Sequence, residues 1–158
     1  MQVPFRSILC PTDLSETGNR AVPLAIHLAA DDGEIHLLHV GEPAFLGNPL
    51  YNQFVAGYVP TVEERKAGED RVREQLQALV PEGGLPRGVS MHMHVVHAIS
   101  VSGAIEEEAR RLGVEVVVMG THGRTGLGRL VMGSVATEVV GKESLPVILV
   151  HEDTNGGA

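Results

Sequence analysis

The sequence has little of what a disulfide-bonded, membrane-spanning or nucleic-acid-binding protein needs. It contains one cysteine, Cys10, so no disulfide can form within the chain. No apolar run approaches the roughly 18 residues that a membrane-spanning helix requires. Positive charge is also scarce, because 12 lysine and arginine residues stand against 20 aspartate and glutamate residues, a formal net charge of -8. An acidic surface repels nucleic-acid backbones and anionic lipids, so neither is an expected partner.

The length and composition are those of one folded domain. A chain of 158 residues is long enough to bury a core, and 43% apolar residues argue against disorder. The segment from Met1 to Arg6 lacks the charged stretch and apolar run of a signal peptide. We therefore expect a cytoplasmic protein with one domain over residues 1–150 and a flexible tail at 151–158.

Short apolar runs that predict buried strands alternate with amphipathic patterns that predict helices. The strands are expected at residues 5–10, 35–40, 89–96, 115–119 and 146–150. The helix starts are expected at Asp13 or Ser15, at Thr61 in a capping box with Glu64, at Ser100 or Ser102, and at Ser134. Gly33 is expected just past the end of the first helix, as its C-terminal glycine. This alternation predicts a single-domain α/β fold, a parallel sheet with helices on both faces.

The connection from Gly120 to Ser134 is unusually long and rich in glycine. Connections in α/β domains typically have about two to six residues, and long ordered ones are usually functional. Glycine lets the backbone approach a ligand closely, and successive N–H groups can hold phosphates. Ser134 is expected at the start of the last helix, where free N–H groups and the helix dipole favour an anion. Arg124 and Arg129 add positive charge, so the loop is a candidate phosphate site.

Two familiar phosphate-binding motifs do not fit this loop. Gly123 and Gly128 have P-loop spacing, but Arg129 stands where that motif requires lysine. A dinucleotide fingerprint begins at Gly126, but Val131 occupies the place of its third glycine. The simpler alternative is a flexible surface loop whose last serine only caps a helix.

The loop resembles the ATP-binding branch of the universal stress protein family, whose motif is G-x2-G-x9-G-(S/T). Gly120, Gly123, Gly133 and Ser134 match it without a gap, and the segments at 11–13 and 146–150 also look like the family. The resemblance covers roughly residues 5–150. It implies a Rossmann-like, five-stranded parallel sheet in the order 3-2-1-4-5. Ligands of such sheets bind where the strand order reverses, here beyond strands one and four.

The resemblance also implies a role for each matching residue. Thr12, Asp13 and Val40 correspond to the adenine and ribose side, and Met119 lines the nucleoside. Mg²⁺ is expected between the phosphates, because it prefers phosphate oxygens and water. The residues expected to contact the nucleotide are Pro11, Thr12, Asp13, Val40, Met119, Gly120, His122, Gly123, Arg124, Gly133, Ser134 and Val135.

The resemblance implies an ATP-binding regulatory protein of the stress response, in which we expect ATP to act as a bound signal. A slow ATP hydrolase or phosphoryl-transfer enzyme is an alternative. His122 is the one candidate general base in the sequence, and no carboxylate partner for it is evident. A third reading is a dimeric interaction module without nucleotide. A homodimer through strand 146–150 is expected, because that strand is an apolar sheet edge and the family commonly dimerises there.

The eight histidines raise the question of a metal site. His92 and His94 alternate on a predicted strand and therefore point to one face, whereas His36 and His39 point to opposite faces. No cysteine or carboxylate joins them at ligand spacing. We therefore interpret them as polar positions near a sheet edge and predict no metal ligands in the protein.

Residues 41–60 hold four of the five aromatic side chains. An apolar, aromatic segment after the second strand suggests a lid over a ligand or a surface that contacts a protein partner. The alternative is a loop that packs on its own side chains.

Overall fold

The computed structural model describes residues 4–41, 60–121, 132–142 and 145–151. The strands are β1 (Phe5–Pro11), β2 (Ala29–Gly41), β3 (Ser90–His97), β4 (Val116–Gly120) and β5 (Val147–Val150). The helices of these ranges are α1 (Glu16–Asn19), α2 (Ala21–Leu28), α3 (Val62–Gln77), α4 (Val101–Leu112) and α5 (Ser134–Gly141). No helix within these ranges has the length and apolar character needed to cross a membrane.

The strands form one parallel sheet in the order β3-β2-β1-β4-β5, which confirms the predicted topology. Ile8 of β1 lies opposite Ile35 of β2 on one side and Val116 of β4 on the other. The chain therefore builds outward from β1 to β3, then crosses back to add β4 and β5 on the other side.

Two apolar cores cover the two faces of the sheet. Ile8 and Val118 pack with α2 and α3 on what we call the first face. Leu9 and Met119 pack with α4 and α5 on the second face. Successive residues of a strand point to opposite faces, so a strand covered on both faces must be apolar throughout. This explains the continuous apolar run that predicted β4.

Several helix ends follow the capping residues found in the sequence. The Ser15 hydroxyl accepts a hydrogen bond from Gly18 N at 3.0 Å at the start of α1. Thr61 and Glu64 form the predicted capping box of α3, with bonds of 2.8 and 3.1 Å. Ser100 caps α4, and Gly113 ends it in the left-handed conformation that glycine favours, with φ 65°.

The predicted end of the first helical region is wrong. Helix α2 ends at Leu28, and β2 begins at Ala29, which pairs with Phe5 of β1. Asp32 turns the chain with φ 59°, which aspartate tolerates better than most residues. Gly33 is buried inside β2, where an added Cβ would lie 2.8 Å from Ala30 O. The glycine therefore permits a close backbone approach and does not end a helix.

Helix α3 has one fully buried residue, Leu76, so we predict that its packing depends on this side chain. Leu76→Ala should lower the free energy of unfolding by about 2–5 kcal/mol through lost burial and a residual cavity. Leu79→Ala, at a partly buried position of the same core, is the matched control and should cost less. Urea denaturation measures both, and equal losses would contradict the assignment.

Candidate functional site

A cleft of about 540 Å³ lies at the carboxyl edge of the sheet, where the strand order reverses between β1 and β4. The ends of β1, β2 and β4 form its floor, and the first turns of α4 and α5 form its walls. Its volume falls within the roughly 300–1,000 Å³ of small-molecule sites. Open α/β sheets bind ligands at this switch point, because the two crossovers leave in opposite directions and open a crevice there.

One part of the cleft is apolar. Val101 and Ile105 lie one turn apart on α4 and face the ends of the central strands across the second core. The apolar lining residues are Leu38, Val40, Val101, Ile105, Met119 and Ala136. Such a surface suits a planar ring system, since it excludes water without requiring hydrogen bonds to the ring faces.

The turn after β1 supplies polar atoms, and its shape is fixed by side-chain hydrogen bonds. The buried Thr12 hydroxyl donates to Asn19 Oδ1 at 2.7 Å and accepts from Leu14 N at 3.0 Å. Asp13 Oδ1 accepts from the backbone N and the hydroxyl of Ser15. Ser15, rather than Asp13, is therefore the cap of α1, and Asp13 orients that cap.

Gly18 allows this turn to close. An added Cβ at Gly18 would lie 2.5 Å from Asp13 Oδ1 and 3.2 Å from Thr12 Oγ1. A side chain here would have to displace the Asp13 carboxylate, so the glycine sets the position of that carboxylate at the cleft.

A hydrogen-bonded junction holds together the two ends of the glycine-rich loop. Thr121 O accepts from Gly133 N at 2.7 Å, and Thr121 N donates to Val150 O at 2.9 Å. The Thr121 hydroxyl also contacts His151 Nδ1 at 3.0 Å. The start of the loop, the start of α5 and the end of β5 therefore meet at Thr121, beside the cleft.

Helix α5 begins with a glycine at its cap position, Gly133, with φ −60° and ψ 154°. Glycine has no side chain, so the cap residue cannot satisfy the N–H groups of the first turn. Gly133, Ser134, Val135 and Ala136 all line the cleft. An anion in the cleft would therefore meet N–H groups that no cap side chain occupies, together with the positive end of the helix dipole.

The structure brings most of the expected nucleotide-contacting residues to this one cleft. Those that line it are Pro11, Thr12, Asp13, Val40, Met119, Gly120, Gly133, Ser134 and Val135. The other three, His122, Gly123 and Arg124, lie outside the described residues, as does most of the aromatic segment at 41–60. The lining residues that sequence reasoning missed are Gly18, Leu38, His39, Gly41, Val101, Ile105, Thr121 and Ala136. In the sequence, Val101 and Ile105 are indistinguishable from ordinary core positions of an amphipathic helix.

Three histidines, His36 of β2 and His92 and His94 of β3, come together away from the lining of the cleft. His36 Nδ1 lies 3.1 Å from His94 Nε2, and the His36 ring stacks on His92. His39, on the opposite face of β2, donates its Nδ1–H to Thr12 O at 3.0 Å. Within the described ranges, no group of three or more histidine, cysteine, aspartate or glutamate residues is arranged to hold a metal ion.

Cys10 offers no nucleophile. Its side chain is buried in the first core, and burial raises the pKa of its thiol to about 12. The thiolate is the reactive form, so this cysteine stays an unreactive part of the core at neutral pH.

The fold and the cleft define a Rossmann-like α/β protein with an open cleft at the switch point of its sheet. Within that class, the chain belongs to the universal stress protein family, whose family model matches residues 4–151. It is 34% identical to universal stress protein G of Shigella flexneri, over 93% of this chain and 99% of that protein. It is 31% identical to universal stress protein MJ0577 of Methanocaldococcus jannaschii, over 95% of this chain and 97% of that protein.

Solved structures show the same fold. The structure of hypothetical protein MJ0577 superposes with a TM-score of 0.65 and 27% identity, covering 96% of this chain and 99% of that one. A universal stress protein in complex with cAMP superposes with a TM-score of 0.57 and 18% identity, covering 94% of this chain and 98% of that one. At that lower identity the likeness concerns the fold.

Proposed function

We propose that the protein binds ATP with Mg²⁺ in the switch-point cleft and that the bound nucleotide acts as a signal in a stress response. The observation that carries the proposal is the composition of the cleft. It joins an apolar slot to a helix start whose cap residue has no side chain. The first part suits a nucleobase and the second suits phosphates.

The residues of the cleft fit the nucleotide part by part. The base would lie in the slot between Val40 and Ile105, and the ribose would lie beside Thr12 and Asp13. The phosphates would meet the N–H groups at the start of α5, and by the family motif also Gly123 and Arg124. Mg²⁺ would take its ligands chiefly from phosphate oxygens and water, which suits a lining whose one described carboxylate is Asp13.

The described lining supports a bound signal over a rapidly consumed substrate. Phosphoryl transfer requires an oriented water and groups that favour the transition state over the ground state. Asp13 is engaged with Ser15, and His39 uses its Nδ1–H on Thr12 O. The alternative, a slow ATP hydrolase or phosphoryl-transfer enzyme, depends on His122 as its general base.

We also propose that the protein is cytoplasmic, with one domain at residues 1–150 and a tail at residues 151–158.

We further propose that the protein is a homodimer formed through β5. This strand ends the sheet, and its four apolar residues, Val147–Val150, are all partly exposed. The opposite edge differs, because Arg73 of α3 donates to Met93 O of β3 at 3.2 Å. A long charged side chain that occupies an edge carbonyl discourages pairing with another strand, whereas an apolar edge without such a charge favours it. A dimeric module that has no use for nucleotide remains the second alternative.

The phosphate end of the site is tested by Gly133→Val. A branched side chain at the cap should fill the phosphate space and weaken Mg·ATP binding by at least about tenfold, about 1.4 kcal/mol. The backbone at Gly133 has φ −60°, which valine can adopt. Gly141→Val, the same change in open space at the other end of α5, is the matched control. Titration calorimetry should show that Gly141→Val binds Mg·ATP as tightly as the wild type does. Unchanged Mg·ATP affinity in Gly133→Val would refute the site. A parallel titration with cAMP tests whether the cleft binds the ligand named for the structural neighbour.

The signal reading predicts very slow ATP turnover. Phosphate release under saturating Mg·ATP should stay far below the roughly 10 s⁻¹ typical of enzymes. If the wild type released phosphate at several turnovers per second and His122→Ala did not, the protein would be an enzyme and the signal hypothesis would be wrong.

The dimer is tested by Ile148→Lys. A charge on this edge strand should convert the dimer to monomers at micromolar concentration, because like charges would meet across a two-fold axis. Val95→Lys is the matched control, since Val95 is a partly buried residue of the same core on the opposite edge strand. Light scattering should return a dimer for the wild type and the control. A monomeric wild type, or a dimer that survives Ile148→Lys, would overturn the proposal.

A further inference from the structure

Three histidines form a cluster on the second face of the sheet, separate from the cleft. His36 lies on β2, and His92 and His94 lie on the edge strand β3; we call them the histidine cluster. His36 pairs in register with His92, and Leu38 pairs with His94. His36 is 6% exposed, so its ring is a buried polar group inside the β2–β3 contact.

The cluster is held by a hydrogen bond between two imidazoles. His36 Nδ1 and His94 Nε2 lie 3.1 Å apart, so one nitrogen donates and the other accepts. The His92 ring stacks on His36 with centroids 5.3 Å apart and planes 23° apart. A neutral imidazole has one N–H and one bare nitrogen, whereas an imidazolium has two N–H groups. The pair can therefore take up one proton and keep its hydrogen bond. A second proton places an N–H group on both His36 Nδ1 and His94 Nε2, so neither nitrogen can accept and the bond is lost.

The charged groups around the cluster give a proton little support. Glu108 of α4 is mostly buried, but Arg111 already engages it with bonds of 3.0 and 2.6 Å. Glu34 of β2 is a more distant contact, with its Oε2 3.7 Å from His36 Nε2. Arg73 of α3 lies on the other side of β3 and adds positive charge.

Burial is the main cause of the lowered pKa of both His36 and His94. The positive charges of neighbouring histidines and of Arg111 lower the pKa of each ring further. Glu34 opposes the shift at His36, and Glu108 opposes it at His94. The rings are therefore neutral at neutral pH, and the His36–His94 hydrogen bond is intact there.

We propose that the His36–His94 pair of the histidine cluster is an acid-operated clamp, which holds the edge strand β3 to β2 when both rings are neutral and releases β3 when both rings are protonated. A second proton removes the ring-to-ring bond and leaves positive charge in a mostly buried site, where Arg111 already engages Glu108 and the Glu34 carboxylate comes no closer than 3.7 Å, which is costly. Strand β3 has a sheet neighbour on one side only, so it can move without breaking a second ladder. Gly41, whose carbonyl accepts from Ala98 N after β3, lines the cleft, so release also loosens one cleft wall.

The direction of the pH effect follows from linkage. Unfolded histidine has a pKa of about 6.5, and the folded rings have lower values. The unfolded or opened state therefore binds more protons in the window between these values. The stabilising effect of the clamp is complete above about pH 6.5 and is lost as the pH falls through that window.

Two measurements on the wild-type protein test the clamp without any nucleotide. NMR titration of the ring signals should show His36 and His94 titrating below about 6.5. Hydrogen exchange, corrected for intrinsic rates, should show protection of the β3 amides falling by about tenfold or more between pH 7.5 and 5.5, relative to amides of β1. Ring midpoints at or above 6.5, or β3 protection that does not change, would overturn the proposal.

A variant then assigns the effect to the cluster. His94→Gln keeps an amide that can hydrogen-bond to His36 but cannot take up a proton, so it should flatten the pH dependence of β3 protection. His27→Gln, at an exposed position on α2, is the matched control and should keep the full dependence. Full pH dependence in a folded His94→Gln protein would refute the clamp. If that variant fails to fold, the wild-type titration and exchange data decide.

Discussion

The double pairing of β1 is the constraint on which the rest of the structure depends. β1 lies between β2 and β4 and is covered by helices on both faces, so Ile8, Leu9 and Cys10 are fully buried. The chain leaves toward β2 on one side and later returns to β4 on the other. Because these crossovers diverge, no helix or strand of the described residues covers the carboxyl end of β1, and Thr12 and Asp13 come to lie in a cleft.

The sequence predicts best those features that depend on local chemistry. The capping box at Thr61 and the helix end at Gly113 are set by hydrogen bonds and backbone conformation within one turn. The end of the first helical region could not be predicted in this way. Ala29 fits the apolar period of α2, but Phe5 of the distant β1 pairs with it and makes it a strand. Tertiary pairing outweighs a weak local preference in such a segment.

The same distinction applies to the candidate site. Gly120, Gly133 and Ser134 were found because a motif with fixed spacing stands out in one dimension. Val101 and Ile105 were missed, because an apolar residue that lines a cleft and one that fills a core follow the same helical period. Only the position of α4 over the ends of β1 and β2 separates the two roles. The histidine cluster was missed for a related reason, since its partners belong to different strands.

The two sheet edges have different chemistry, and this difference connects the cleft to the surface of the domain. β3 carries polar and titratable groups, with Arg73 on its outer carbonyl and His94 toward β2. β5 is apolar, and Val150 O at its end accepts a hydrogen bond from Thr121 N. Thr121 O in turn accepts a hydrogen bond from Gly133 N. A residue that closes the loop beside the cleft therefore also fixes the end of the edge strand. The candidate ligand site and the proposed dimer edge share one junction of hydrogen bonds at Thr121, so a small domain can hold both without a separate connecting element.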